Sequence, residues 1–385
     1  MRIPLSAPDI TEAEIDLVTA VLRTPYLSRG KYLGEFERAL ATRVGAAHGV
    51  AVSSGTAGLH LAVRACGIKD GDEVITSPFS FVASAHAIMY ERARPIFVDV
   101  NPFNLNIDPR KVEAAITPRT RAILVVHVFG RPAEMDPLLE IAHRRGLVVI
   151  EDACEALGAE VGGRKAGTFG ACGVFGFYAN KQITTGEGGM IVTSGEGIAQ
   201  SCRRMRNHGR ESVDCDSVGL GYNYRLSELA CAIGSAQLGR LDAILHRRQD
   251  VARQYHERLV GQHDLVLPES NGSGIRTGWF VYVVRLAPHF TRDDRDWIVD
   301  ELRRRGIGCG RYFTPIHLLP HVRASLGNQA GRFPVAEAAS EGTIALPFFN
   351  HLSEPEIDEV CETLGTLLRA RACSDGSIRA RSSVG

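Results

Sequence analysis

The feature that most limits what this chain can fold into is a series of short, continuously apolar segments that alternate with segments of helical period. Ile123–Val126 and Leu147–Ile150 are the clearest of these apolar runs. Runs rich in β-branched residues are typical of strands that are buried on both faces of a parallel sheet. Because helices must cover both faces of such a sheet, we expect an α/β fold with a mostly parallel sheet flanked by helices.

The alternation continues along most of the chain. Short β-branched segments predict strands, and apolar residues at every third or fourth position predict helices. The expected strands cover 49–53, 73–76, 94–98, 122–127, 147–150, 279–285 and 343–346. The expected helices cover 57–65, 81–90, 226–241, 244–259, 292–305 and 354–368, and two more begin at residues 109 and 134.

The helical patterns at 226–241 and 244–259 are long enough to carry the chain out of a first domain. We therefore expect a large domain over residues 1–245 and a small α+β domain over residues 246–372. A chain of 385 residues is long enough to form two such cores. Residues 373–385 are rich in Ser and Arg, and we expect them to form a disordered tail.

Composition narrows the functional classes. Lys and Arg number 44, as do Asp and Glu, so the net charge is zero and no basic footprint for nucleic acid or an anionic membrane is expected. No segment reaches the roughly 20 apolar residues of a membrane span. The nine cysteines contain no CxxC pair, so we expect neither a disulfide framework nor a metal site. A cytoplasmic protein that acts on small molecules fits these bounds.

One lysine lies in an unusual context. Only five lysines occur in the chain, against an abundance of arginine, and one of them is Lys181. It follows the apolar, aromatic segment Gly173–Tyr178 and leads into the glycine-rich turn Gly186–Gly189. A surface ammonium group normally lies among other charged side chains. This context therefore indicates an amine that takes part in chemistry.

An acidic residue, Asp152, follows the apolar run Leu147–Ile150. A carboxylate at the carboxyl end of a buried strand points into the crevice where open α/β sheets bind ligands. The same position is also compatible with a helix N-cap. If the ligand is a pyridine cofactor, an aspartate keeps the ring nitrogen protonated, so that the ring accepts electrons from a carbanion.

A turn of small residues, Ser54–Gly55–Thr56, joins a strand to a helix. The N–H groups at such a helix start, with hydroxyl groups beside them, form a cradle for phosphate, although a capping turn without a ligand has the same sequence. The turn Gly186–Gly189 matches neither a dinucleotide fingerprint nor a P-loop. A phosphate cradle, an acid for the ring nitrogen and the isolated Lys181 together meet the needs of pyridoxal 5'-phosphate.

Several segments resemble, in the same order, the DegT/DnrJ/EryC1/StrS family of pyridoxal-phosphate-dependent sugar aminotransferases, and the resemblance covers about residues 5–370. The segments are Ser54–Thr56, His127–Gly130, Glu151–Ala153, Phe175–Lys181, Thr184–Gly189, Asn207–Gly209, Gly221–Arg225 and Phe313–His317. The resemblance implies a fold-type I aminotransferase that forms a homodimer with shared active sites. It further implies L-glutamate as the amino donor and a keto group of a nucleotide-linked sugar, usually a deoxysugar, as the acceptor. Within that range we favour a 4-keto-6-deoxyhexose.

The resemblance assigns roles to residues of the cofactor site. Lys181 would bind the cofactor as a Schiff base and act as the acid–base catalyst, and Asp152 would pair with the pyridine nitrogen. Gly55 and Thr56 would hold the phosphate. Phe81 would stack on the ring, although an aromatic residue at a helix start is also ordinary core packing.

Three further residues receive roles near the substrate or the subunit interface. By the resemblance, Asn223 would reach the phosphate of the neighbouring subunit's cofactor, and Arg225 would face the substrate across the interface. His317 would lie near the sugar. Without the resemblance, Arg225 is equally compatible with a salt bridge and His317 with a buried hydrogen bond.

Two positions depart from the common family pattern. The family often has a serine at the position of Gly176, where its hydroxyl helps to bind phosphate, so a neighbouring group or water must substitute. Glu155 replaces a frequent glutamine or histidine near the cofactor's phenolic oxygen. Glutamate there resembles the subset that acts on GDP-linked 4-keto-6-deoxymannose.

Three other functions remain alternatives. A related sugar dehydratase would carry histidine in place of Lys181, so the lysine disfavours that reaction. A regulatory protein without catalysis would be expected to lose Lys181 or Asp152 and to gain a DNA-binding segment, and the sequence does neither. A transaminase for a cyclic keto acceptor such as an inosose stays open, because the sequence does not identify the acceptor.

Overall fold

A computed structural model describes residues 1–212, 215–269, 271–272 and 274–382 of the chain. Its main sheet has seven strands, and two small sheets have three strands each. The strands are β1 His48–Val52, β2 Glu73–Thr76, β3 Arg94–Phe97, β4 Thr120–Val126, β5 Val148–Asp152, β6 Glu160–Val161, β7 Arg164–Lys165, β8 Cys172–Gly176, β9 Gly189–Thr193, β10 Leu265–Val266, β11 Ile275–Arg276, β12 Tyr282–Leu286 and β13 Thr343–Leu346.

Helices cover the sheets and form much of the second half of the chain. They are α1 Glu12–Leu22, α2 Lys31–Val44, α3 Gly55–Ala65, α4 Ala83–Tyr90, α5 Pro109–Val112, α6 Met135–Arg145, α7 Glu196–Arg206, α8 Glu228–Gly239, α9 Leu241–Leu259, α10 Arg292–Arg304, α11 Pro320–Leu326, α12 Pro334–Gly342 and α13 Glu354–Ser382.

The seven-stranded sheet has the order β1-β9-β8-β5-β4-β2-β3. Four of its six pairings are parallel, β2 with β3, β2 with β4, β4 with β5 and β5 with β8. β9 runs antiparallel to both β1 and β8. The predicted α/β fold with a mostly parallel sheet is therefore confirmed, and the antiparallel strand β9 lies between β8 and the edge strand β1.

The apolar runs are buried on both faces of the sheet, as expected. Along β4, Leu124 and Val126 belong to one hydrophobic cluster, whereas Ile123 and Val125 belong to another. Successive side chains of a strand point to opposite faces, so the two clusters lie on opposite sides of the sheet. Helices α3 and α4 contribute to the first cluster and α6 contributes to the second.

A second core is built from the C-terminal half of the chain. Tyr255 of α9, Tyr282 of β12 and Leu302 of α10 belong to it, and all three are fully buried. Ile3 at the amino terminus also packs in this core and pairs with Ile307. The first residues of the chain therefore contact the C-terminal core, although the sequence placed them with the large domain.

The division into domains at residues 245 and 372 stays a prediction. α9 continues through residue 245 without a break. α13 continues through Ser382 into the segment expected to be a disordered tail, since Ala and Arg favour helix, and residues 383–385 lie outside the described residues.

In the described part of the chain, no helix combines the length and apolarity that a membrane crossing requires. The cytoplasmic location also stays a prediction.

A buried arginine of α9 holds the segment before β12. Arg248 donates hydrogen bonds to the carbonyl oxygens of Trp279 and Phe280, at 2.8 and 3.0 Å, and to Asn350 Oδ1 at 3.1 Å. Burial lowers the pKa of the Arg248 guanidinium to about 10. These bonds fix the backbone of Phe280, whose side chain reaches the cavity described next.

Candidate active site

A cavity of about 410 Å³ opens at the carboxyl ends of three neighbouring parallel strands, β4, β5 and β8. This is the edge at which open α/β sheets bind ligands. The last residues of these strands, Val126, Asp152 and Gly176, line the cavity. Residues at the start of α3 and in the segment between β8 and β9 complete it. The size is that of a site for a small molecule.

The segment between β8 and β9 carries Lys181 and is fixed at its base. The N–H of Phe177 donates to the carbonyl of Gly188 at 2.9 Å, and the N–H of Thr185 donates to the carbonyl of Phe177 at 3.0 Å. The hydroxyl of Thr184 donates to the same Phe177 carbonyl at 3.1 Å. The ladder of the β8–β9 hairpin thus continues into the segment and holds its two ends together.

Gln182 anchors the middle of the same segment. Its side chain is buried, and its Nε2 donates to the carbonyl oxygens of Glu155 and Gly278, at 2.5 and 2.7 Å. Gly278 belongs to the segment that leads to β12. The residue next to Lys181 therefore ties the backbone to two separate parts of the cavity wall.

The amine of Lys181 points into the cavity. Its Nζ lies 3.8 Å from Glu155 Oε1 and 3.9 Å from the centroid of the Phe280 ring. The side chain is 15% exposed. An ammonium group over an aromatic face gains a favourable electrostatic contact. The amine thus lies between a buried carboxyl group and an aromatic ring.

Glu155 is buried beside Lys181. Its Oε2 accepts a hydrogen bond from the N–H of Phe129 at 2.8 Å. Burial raises the pKa of the Glu155 carboxyl above its ordinary value, and the charge of Lys181 acts in the opposite direction. A raised pKa favours the protonated form of Glu155, which can donate a hydrogen bond as well as accept one.

Asp152 ends β5 and reaches the cavity. Its Oδ2 accepts a hydrogen bond from the hydroxyl of Ser84 at 2.6 Å, and its Oδ1 accepts one from the N–H of Cys154 at 3.1 Å. A turn follows β5 in the structure, and no helix begins at this point. The N-cap alternative is therefore wrong, and Asp152 instead forms an Asx turn with Cys154.

The neighbouring acid, Glu151, faces away from the cavity. It is fully buried and accepts hydrogen bonds from His127 Nε2 at 2.9 Å and from the N–H groups of Gly167 and Gly170, at 2.7 and 2.6 Å. His127 Nδ1 accepts a hydrogen bond from the N–H of Ala133, so its proton is on Nε2. Glu151 and His127 thus form a buried hydrogen-bonded pair that does not line the cavity.

The predicted phosphate cradle lies at the start of α3. Ser54 is the N-cap residue, and its Oγ accepts a hydrogen bond from the N–H of Ala57 at 3.1 Å. Gly55 and Thr56 follow it and line the cavity. The first N–H groups of a helix lack intrahelical partners and attract anions. The start of α3 can therefore hold a phosphate beside Lys181.

A cysteine fills the space between two glycines of this cradle. A Cβ atom on Gly55 would lie 2.9 Å from Cys154 Sγ, and one on Gly176 would lie 3.2 Å from Cys154 Cβ. Burial, together with the charge of Asp152, raises the pKa of the Cys154 thiol well above its ordinary value. A protonated thiol therefore occupies the place next to Gly176, where the sequence required a substitute for a serine hydroxyl.

Phe81 also lines the cavity and is 61% exposed, so it is not a core residue. Its ring is free to contact a bound molecule. The core alternative for Phe81 is therefore wrong.

Asn223 and Arg225 lie outside this cavity. Asn223 is exposed, and Arg225 Nη1 donates to Asn207 Oδ1 at 3.0 Å. Tyr224 lies between them, and its hydroxyl lies 3.2 Å from Nδ1 of His60 on α3. Their expected contacts are with a neighbouring subunit, and these roles stay predictions.

The structure does not bring His317 to the cavity. The side chain has no exposed surface, packs against Phe97 and Phe333, and its Nε2 lies 2.9 Å from Glu337 Oε1. Burial lowers the pKa of His317, and Glu337 acts in the opposite direction. Within its own chain the imidazole is surrounded by aromatic rings and Glu337, and the expectation that His317 lies near the sugar stays a prediction.

Three residues of the site were missed in the sequence. Ser84 donates a hydrogen bond to Asp152, and Cys154 packs against Gly55. The ring of Phe280 contacts the amine of Lys181. Cys154 follows Asp152 by two residues and could have been found as the partner in an Asx turn. Ser84 and Phe280 come from distant segments and carry no local signal.

These residues fit pyridoxal phosphate. The cavity offers a lysine amine, a buried carboxylate that already accepts two hydrogen bonds, and a helix start whose backbone is open because Gly55 has no Cβ atom. Lys181, Asp152 and the start of α3 would hold the aldehyde, the ring nitrogen and the phosphate of the cofactor.

Comparison with known proteins agrees with this geometry. The model of the DegT/DnrJ/EryC1/StrS aminotransferase family matches residues 8–365. A GDP-perosamine synthase from Caulobacter vibrioides is 38% identical, over 95% of this chain and 98% of that protein. A pleiotropic regulatory protein from Geobacillus stearothermophilus is also 38% identical, over 91% of this chain and 92% of that protein.

A solved structure shows the same fold with the cofactor. It is the PLP form of a putative sugar aminotransferase from Streptococcus pneumoniae, with a TM-score of 0.92 and 28% identity over 96% of this chain and 99% of that one. The match confirms the predicted fold, cofactor and enzyme class. The chain belongs to the DegT/DnrJ/EryC1/StrS aminotransferase family and is a pyridoxal-phosphate-dependent transaminase.

Proposed function

We propose that this enzyme moves the amino group of L-glutamate to the keto group of a nucleotide-linked 4-keto-6-deoxyhexose. GDP-perosamine synthases from three bacteria are 34% to 38% identical to the chain over at least 94% of its length. Glu155 matches the pattern of the subset that acts on a GDP-linked sugar. Both points support a nucleotide-linked deoxysugar as the acceptor.

The observation that carries the proposal is the placement of Lys181. Its amine faces Glu155 at 3.8 Å, in the same cavity as Asp152 and the helix start at Gly55. Reversible amino transfer needs an amine that binds the cofactor, leaves it and then moves a proton. A dehydratase of the related type would have histidine at this position, so the lysine favours amino transfer.

Each residue of the cavity has its own role in the proposed amino transfer. Pyridoxal phosphate, when bound, supplies an electron sink for the carbanion at the substrate carbon. Lys181 Nζ moves a proton to and from that carbon. Asp152 would hold the ring nitrogen of the cofactor through its carboxylate, and Glu155 would form a hydrogen bond with the phenolic oxygen. Phe81 and Phe280 contribute aromatic rings to the lining of the same cavity.

We also propose that two copies of the chain share their active sites. Asn223 is exposed and lies outside the Lys181 cavity of its own chain. Arg225 is partly exposed on the same segment and forms its hydrogen bond only with Asn207 among the described side chains. Both are therefore available to a second subunit, where Asn223 would contact the phosphate and Arg225 the substrate.

Two rival functions have less support. A cyclic keto acceptor such as an inosose fits the same cofactor site, and only the acceptor-binding surface distinguishes it. A regulatory role is suggested by the name of one relative, but Lys181 and Asp152 are both present and both reach the cavity. Residues that serve amino transfer have no evident purpose in a protein without catalysis.

The test uses the absorption spectrum of the purified enzyme reconstituted with pyridoxal phosphate. L-glutamate should convert the band of the lysine-bound cofactor into that of pyridoxamine phosphate. A GDP-linked 4-keto-6-deoxyhexose should then restore the first band. Restoration by an inosose alone would replace the proposed acceptor, and no response to L-glutamate would overturn the proposed donor. Lys181→Ala serves as the control without the band.

A further inference from the structure

A chain of hydrogen bonds runs from Asp152 into the start of α4. Ser84 Oγ lies 2.6 Å from Asp152 Oδ2 and 2.9 Å from Ser80 Oγ. Ser80 Oγ also lies 2.9 Å from the carbonyl oxygen of Phe81. Ser84 has no exposed surface, and Ser80 and Asp152 are nearly as buried. These groups are therefore fixed relative to one another and shielded from bulk water.

The protons of this chain have a defined direction. An ionised carboxylate only accepts, so the single hydroxyl proton of Ser84 is directed at Asp152. Ser80 then donates its proton either to Ser84 Oγ or to the carbonyl of Phe81. A donation to Ser84 would strengthen the bond between Ser84 and Asp152, because hydrogen bonds in a chain polarise one another.

We propose that Ser84 is a positioning residue that donates a hydrogen bond to Asp152 Oδ2 and keeps this carboxyl group aimed into the cavity, an inference that rests on the proposed pairing of Asp152 with the ring nitrogen. Ser84 does not line the cavity, so it acts through Asp152. Without the Ser84 hydroxyl, the donors to Asp152 among the described residues are the N–H of Cys154, at 3.1 Å, and the Cys154 thiol. A buried anion with fewer donors holds a proton more tightly. The shared proton then moves from the ring nitrogen toward Asp152.

The same chain connects Asp152 to Phe81. The backbone N–H of Ser84 lies 3.3 Å from the Phe81 carbonyl oxygen, and the Ser80 hydroxyl lies 2.9 Å from it. The backbone that presents the exposed ring of Phe81 is thus joined to the residue that orients Asp152. Ser84 therefore sets the position of two proposed cofactor contacts at once.

The test is the ¹⁵N NMR shift of the ring nitrogen, measured on enzyme reconstituted with ¹⁵N-labelled pyridoxal phosphate. The wild type should give the shift of a protonated ring. In Ser84→Ala the shift should move toward that of the unprotonated ring, and the cofactor should bind about tenfold more weakly. Ser84→Thr keeps the hydroxyl and should restore both values.

Two further variants guard against a purely structural effect. Ser77→Ala removes another buried serine hydroxyl, which hydrogen-bonds the backbone of Phe79, and should leave the shift unchanged. Ser84→Cys keeps nearly the same side-chain volume, but its thiol is a weak donor. If Ser84→Ala fails to fold, Ser84→Cys takes its place in the test and should show the shift expected of Ser84→Ala.

The outcomes separate this inference from the proposed function. If Asp152→Asn alters the ring shift but Ser84→Ala and Ser84→Cys do not, the role of Ser84 is refuted while that of Asp152 stands. If Asp152→Asn itself leaves the shift unchanged, the pairing of Asp152 with the ring nitrogen is wrong. If Ser84→Ala lowers the melting temperature but leaves the ¹⁵N shift of the ring nitrogen unaltered, Ser84 contributes to packing and does not position Asp152.

Discussion

Lys181 Nζ and Glu155 Oε1 face each other across 3.8 Å of the cavity, and the backbone of Glu155 is held by the residue next to Lys181, Gln182. The two functional side chains are thus joined both through space and through the hydrogen bond of Gln182. A displacement of either segment would alter the approach of the amine to its carboxyl neighbour.

Lys181→Ala should reduce amino transfer by at least about a thousandfold, because we propose that the amine is both the attachment point and the proton carrier. The measurement is the rate of product formation with L-glutamate and a keto-sugar, together with the melting temperature to show that the protein is folded. Lys69→Ala, at an exposed position, is the matched control and should retain full activity. Turnover by Lys181→Ala would refute the assignment.

Gly176→Ser should lower the free energy of unfolding by about 1 kcal/mol, because the added Cβ would press on Cys154 Cβ at 3.2 Å and Sγ at 3.4 Å. Combination with Cys154→Gly, which removes both the Cβ and the Sγ atom of Cys154, should remove most of this loss. Thermal unfolding of the single and double variants measures the coupling. Gly197→Ser, where an added Cβ would meet no atom within 4 Å, is the control. If the two changes in the free energy of unfolding simply add in the double variant, Cys154 does not limit the size of the side chain at position 176.

Mixed dimers of Lys181→Ala and Asn223→Ala should recover activity if active sites are shared. A mixed dimer has one site with an intact Lys181 and an intact partner Asn223, so statistical mixing should restore about one quarter of the wild-type sites. Co-expression followed by an assay measures the recovery. Pairing Lys181→Ala with the double variant should give none. If co-expression of Lys181→Ala with Asn223→Ala gives no more activity than the two variants give separately, Asn223 acts within its own chain.

Mild acid should destabilise the fold through His60. Burial lowers the pKa of His60 from its ordinary 6.5, and Glu91 acts in the opposite direction. Between the lowered pKa and 6.5, the unfolded chain binds a proton that the folded chain does not. The contribution of His60 is therefore complete above pH 6.5 and decreases as the pH falls, by at most about 1.4 kcal/mol per pH unit.

Melting temperatures at pH 7.5 and 5.5 test this effect. The difference should be smaller in His60→Gln than in the wild type, while the exposed His263→Gln should behave as the wild type. An equal difference in all three proteins would show that other groups determine the acid response.

Much of the main sheet could be predicted because its strands are continuous apolar runs, as in β4 and β5. The hairpin β8–β9 was missed because glycines interrupt it. A Cβ atom on Gly173 would lie 2.2 Å from the carbonyl oxygen of Gly167, and one on Gly189 would lie 2.6 Å from that of Ser54. These glycines permit close approach of distant backbone segments, and close approach leaves no local pattern in the sequence.

The cavity residues divide in the same way. Lys181, Asp152 and Gly55 could be predicted because each lies at a strand end, a helix start or an unusual sequence context. Phe280 could not, because its position depends on the hydrogen bonds that Arg248 makes to a separate segment. His317 was placed by the order of motifs alone, and order along the chain does not determine which side of a core an imidazole occupies.

The anchored segment between β8 and β9 also determines how Lys181 can move. With the backbone held at Phe177, Thr185 and Gln182, the amine can change its position only by rotation about its side-chain bonds. Such rotations take picoseconds to nanoseconds, whereas loop rearrangements take far longer. An amine that is not covalently bound can therefore be repositioned by its own side chain, while the segment that carries it stays in place.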